Sequence, residues 1–113
     1  MMSDVLYNVN QVDIPNGQQI NYKRFTYKLN RFLQFLFPRY YITLQLYQSV
    51  TNANRYYVIA SYRNLPGLYD ITPFIQEVID RIYNHIWGFS VKRVGIFSYV
   101  SAERVIPPLR YYW

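Results

Sequence analysis

The 113-residue chain contains no cysteine. Disulfide scaffolds, zinc ribbons, thiol redox centres and cysteine nucleophiles are thereby excluded, while the redox environment stays open. His85 is the single histidine, so one chain cannot build a metal site on two imidazoles. Acidic residues are few and scattered: Asp4, Asp13, Asp70, Glu77, Asp80 and Glu103. Glu77 and Asp80 share a helical face, but beside Arg81 they read as a solvated surface rather than a two-metal site. The four glycines, Gly17, Gly67, Gly88 and Gly95, form no phosphate-cradling loop. These absences predict a protein that is not an enzyme and that uses no cofactor and no metal.

No apolar run is long enough for a transmembrane helix. The start, Met1-Met2-Ser3-Asp4, lacks the basic and apolar regions of a signal peptide. The expectation is an intracellular protein with no membrane partner. There is no repeat, low-complexity tract or interdomain linker. One domain over 1–113 is therefore expected, with 105–113 a short C-terminal tail.

What the chain does have is apolar and aromatic surface. Hydrophobic residues make up 51%, aromatics 20% and charged residues 16%, against a usual charged share of roughly 25%. Such a chain can bury enough surface to fold without staples. Twelve Lys and Arg against six Asp and Glu leave a net charge of +6. That balance favours acidic partners such as nucleic acid.

Apolar periodicity divides the chain into six elements. Residues 4–12 alternate as a strand, interrupted by Asn8 and Asn10, and Pro15-Asn16-Gly17 turns the chain. Over 21–37 the spacing becomes helical. Tyr22, Phe25, Leu29, Phe32, Leu33 and Leu36 fall on one side, and Lys23, Arg24, Lys28 and Arg31 on the other. Phe35 falls among those cations, and Pro38 stops the helix. Residues 40–48 and 55–63 read as a strand pair joined across 50–54. Thr72 is the expected N-cap of a second helix, with Pro73 in its first turn and Gly88 past its end. Its apolar stripe includes Ile75, Ile79, Ile82 and Ile86, with His85 half-buried at the edge. Residues 91–100 form the last strand.

The order strand–helix–strand–strand–helix–strand predicts an α+β, ferredoxin-like βαββαβ sandwich. Two helices would pack on one face of a four-stranded antiparallel sheet. With Ile42, Leu44, Leu46, Val58, Ala60, Val94 and Ile96 facing the helices, the other face collects Tyr41, Tyr47, Arg55, Tyr57, Arg63, Arg93, Phe97 and Tyr99. Rings that stack bases beside arginines that hold phosphates are what single-stranded nucleic acid requires.

Within 55–62, Arg55, Tyr57 and Tyr62 resemble the octamer of the RNA recognition motif. Tyr56 and Val58 replace its small residues, and Ile59 its central aromatic. Leu6 and Tyr7 with Asn10 resemble that family's second motif. The likeness covers topology and a few face residues, not the defining motifs, and no membership follows from it. In composition the Cys-free, Tyr-rich chain is similar to proteins of viruses of hyperthermophilic archaea. The functional expectation is non-catalytic binding of single-stranded nucleic acid through the Tyr/Arg face. The alternative is a small assembly or inhibitor protein that uses the same face for another protein or a second copy of itself. Ordinary strand packing would also account for tyrosines there.

Overall fold

The structure, a computed structural model, describes residues 5–97 and 109–111. The chain runs β1 (Val5–Asp13), α1 (Gln19–Leu36), a 3₁₀ turn (Pro38–Tyr40), β2 (Thr43–Ser49), β3 (Arg55–Arg63) and α2 (Thr72–Ile79). A π-helical segment (Asp80–Ile86) prolongs α2, and β4 (Ser90–Phe97) and β5 (Leu109–Tyr111) follow. The architecture is α+β: four antiparallel strands in the order β4-β1-β3-β2, with two helices, and β5 added beside β2. β5 is a further element, in the stretch 105–113 that reads as a tail in the sequence. Three of those residues pair with Tyr47–Ser49, an edge contact with a distant partner that local periodicity does not reveal.

Both helices cover the same side of the sheet. Tyr22, Leu29 and Leu33 of α1 and Ile75 and Ile79 of α2 share one buried core with Val12, Leu44, Leu46, Val58 and Ala60. Tyrosine dominates its centre. Tyr22 meets Tyr56, Tyr83 and Phe89 edge-on at 5.7, 5.1 and 6.0 Å, the geometry that ring quadrupoles favour. Tyr83 and Thr26 tie the second helix to the first through a 2.6 Å hydroxyl–hydroxyl bond. The asparagines that interrupt β1 lie in this layer. Asn10 Nδ2 donates to Asn8 Oδ1 at 3.0 Å, and Gln76 Nε2 donates to Asn10 Oδ1 at 2.9 Å.

Three local expectations are corrected. β2 begins at Thr43, because Pro38–Tyr40 closes a 3₁₀ turn and Tyr41 then takes a left-handed backbone with φ 52°. Thr72 does not cap α2: it is the first helical residue, and its hydroxyl bonds the Tyr62 hydroxyl at 2.6 Å. Asp70 Oδ1 accepts the Thr72 N–H instead, at 3.0 Å, and bonds from Thr72 hold the Asp70 carboxyl below its ordinary pKa. Past Ile79 the winding loosens, with Trp87 N–H reaching back five residues to Ile82 O at 3.0 Å. The wider turn carries Tyr83 inward and leaves His85 and Ile86 exposed. Gly88 does end the helix, at φ +73°.

Candidate binding face

β-strand parity decides what the uncovered side of the sheet presents. In β3 the even residues Tyr56, Val58, Ala60 and Tyr62 enter the helix-side core. Arg55, Tyr57, Ile59 and Arg63 therefore point to the other side. Tyr47 of β2 stands opposite Tyr57 in register, and Val9 of β1 stands opposite Ile59. Val9, Tyr57 and Ile59 form a second small cluster, with Tyr7 and Tyr47 packed against it.

The centre of this face is closed rather than open. Tyr57 is 9% exposed, Ile59 4% and Val9 0%. The ring expected to stack bases is thus a packed ring in this structure, while Tyr47 is half-buried. Polar chemistry sits at the two ends of β3. At its start, Arg55 Nε donates to Asp13 Oδ1 at 2.9 Å, and Nη2 donates to Oδ2 at 3.4 Å. That hydrogen bond, and then the carboxylate's charge, raises the Arg55 pKa above its ordinary value. At the other end the Arg63 guanidinium carbon lies 4.3 Å from the centre of the Tyr41 ring, and Tyr41 is 64% exposed. Beside Tyr41 is an open hollow of about 230 Å³ lined by Gln34, Pro38, Tyr41 and Thr43. Gln34 is held there by donating to the Ile42 carbonyl at 3.0 Å.

Tyr41, Tyr47, Arg55, Tyr57 and Arg63 are therefore brought to this side or its rim. Arg93 is not. The β1–β4 register shifts between Val9 and Asn10, so Arg93 pairs with Asn10, whose side chain faces α2. Unbroken alternation puts Arg93 on the opposite side; the bulge reverses it. Phe97 pairs with Tyr7 in register, and Tyr99 lies outside the described residues.

Asp13 is the participant that residue-by-residue reading missed. Asp13 closes β1 and Arg55 opens β3, so opposite charges meet once the antiparallel register is known. Among the described residues, no helix is long and apolar enough to cross a membrane. Compared with protein families, curated proteins and solved structures, the chain finds no match.

Proposed function

We propose that the chain is a ferredoxin-like sandwich that binds single-stranded nucleic acid, without catalysis, at the sheet side opposite its helices. The strand order β4-β1-β3-β2 around two βα units, with both helices on one side, supports the fold reading. The binding reading is carried by one observation, the exposed Tyr41 ring paired with the Arg63 guanidinium at the rim. A ring and a planar cation in contact offer a base a stacking surface and a phosphate a counter-charge in one place. Arg55, about eight residues and roughly 26 Å away along the same side of β3 at the usual strand rise, is engaged by Asp13 and serves as a second cation only when that pair opens. A second reading, contact with another protein or another copy, is favoured by the apolar cluster of Val9, Tyr57 and Ile59 between those ends.

Titrating labelled single-stranded homopolymers against salt tests the first reading. Arg63→Ala is expected to weaken binding and to lower the log–log salt slope by about 0.7, the loss of one phosphate contact. Asp13→Asn is expected to release Arg55 and raise the slope by about the same amount. No binding to any homopolymer at low salt would overturn the proposal.

A further inference from the structure

The outer surface of the helical layer carries apolar side chains that the core does not use. Phe32, Phe35 and Leu36 lie within about one turn of α1 and are 56%, 81% and 44% exposed. On α2 and its π-helical extension, Phe74 and Ile86 are also exposed, and Phe74 reaches across to Phe37, ring to ring, at 5.2 Å. The cations of α1 sit among these side chains. Lys28 precedes Phe32 by four residues and Arg31 precedes Phe35 by four, both exposed, while α1 contains no acidic residue.

We infer that this layer docks through α1 on an anionic lipid bilayer, lying in its surface without spanning it; on α2 the exposed Glu77 carboxylate is offset by its ion pair with Arg81. The charge disfavours a symmetric pairing of two α1 helices, which would bring like charges together. Leu36 and Ile86 have no flat ring on which a base could stack, so nucleic acid would leave them in water. A bilayer accommodates both kinds of group. Phe and Leu enter the acyl boundary while the long Lys and Arg side chains keep their charges at the headgroups. The expectation of no membrane partner came from the lack of a spanning segment, which is silent on a helix that lies flat. The sheet-side reading uses other residues, Tyr41 and Arg63 at the rim of the sheet.

Cosedimentation of the full chain with vesicles tests this, using phosphatidylserine mixed into phosphatidylcholine against phosphatidylcholine alone. Binding to the anionic vesicles is expected, with much weaker binding to the neutral ones. Lys28→Gln with Arg31→Gln is expected to weaken it roughly 25-fold, at about fivefold per cation near an anionic surface. Phe32→Gln with Phe35→Gln is expected to weaken it by roughly tenfold or more as ring burial is lost. These side chains are exposed, so the variants should keep the thermal transition of the parent. Failure to bind anionic vesicles at low salt would overturn the inference, and so would binding that ignores the Phe pair. Loss of oligonucleotide binding in the Phe pair, with vesicle binding intact, would assign the layer to nucleic acid and also overturn it. Arg63→Ala should leave vesicle binding unchanged, which separates the two surfaces.

Discussion

Arg63 covers the ring of Tyr41 at 4.3 Å, and Tyr41 holds that ring out from a left-handed backbone at φ 52°. Among the described residues it is the only non-glycine with positive φ. For an L-residue this conformation costs roughly 1–2 kcal/mol, while a cation–π contact at an exposed site returns about 0.5–1 kcal/mol. The fold therefore tolerates a local cost at a place where ring and cation are both accessible. Such outliers tend to gather at functional positions.

Tyr41→Gly and Tyr41→Ala should separate the backbone from the ring. Both remove the stacking surface, so both are expected to weaken oligonucleotide binding by about 1–3 kcal/mol. Glycine adopts positive φ freely, so the Gly variant should be the more stable of the two by roughly 1 kcal/mol in chemical denaturation. Equal oligonucleotide affinity of parent and both variants would remove Tyr41 from the site.

The buried tyrosines predict opposite responses to loss of a hydroxyl. The Tyr22 hydroxyl is buried without a hydrogen-bond partner, so Tyr22→Phe is expected to stabilise by about 1–3 kcal/mol. Tyr83→Phe strands Thr26 Oγ1 and is expected to destabilise by about the same amount. Burial raises both phenol pKa values above the ordinary 10.0. A raised folded-state pKa means that the unfolded chain loses its proton first. The stabilisation is complete below pH 10 and is lost above it, at about 1.4 kcal/mol per pH unit per group. Alkaline titration of the denaturation midpoint should show that decline, and each Phe variant should flatten it. A midpoint that is level to pH 12 would contradict the burial of these hydroxyls.

Much of the fold was legible because its signals are local. The Tyr22, Leu29 and Leu33 stripe of α1, the stop at Pro38, the β2–β3 pair and the cap at Gly88 all depend on residues within a turn or two of one another, whereas Phe32 and Leu36, read into the same stripe, are exposed. What stayed hidden depends on distant partners or on a change of period. The bulge opposite Val9 turns Arg93 to the other side, β5 exists only by pairing with β2, and π winding moves Ile86 out of a stripe read at 3.6 residues per turn. At the site, parity placed Arg55, Tyr57 and Arg63 on one side. It could not show that Tyr57 is packed, or that Asp13 engages Arg55.

Alanine substitution along the second helix checks the change of winding. Ile79 is fully buried, and Ile79→Ala is expected to cost roughly 2–5 kcal/mol. Ile86 belongs to the same stripe at an ideal helical period but is 74% exposed, so Ile86→Ala should change stability by no more than about 0.5 kcal/mol. Similar losses at the two positions would mean that the α-helical period continues through Ile86.

Gln45→Lys distinguishes the two readings of the sheet side. Gln45 lies between Thr43 and Tyr47 in β2, opposite Ile59, and is half-buried. Its parity puts it on the side away from the helices. A lysine there can lift its ammonium to the surface along its own stem, so little stability should be lost. If the side receives single-stranded nucleic acid, one more cation beside the backbone should tighten oligonucleotide binding and steepen the salt slope by about 0.7. If instead it joins two copies of the chain, the substitution puts a new charge from each copy into an apolar contact, where neither has a partner. Solution mass should then move toward the monomer, with oligonucleotide affinity unchanged. Measuring mass and affinity on this one variant assigns the side to one partner, and a variant that moves neither leaves Val9, Tyr57 and Ile59 as ordinary packing.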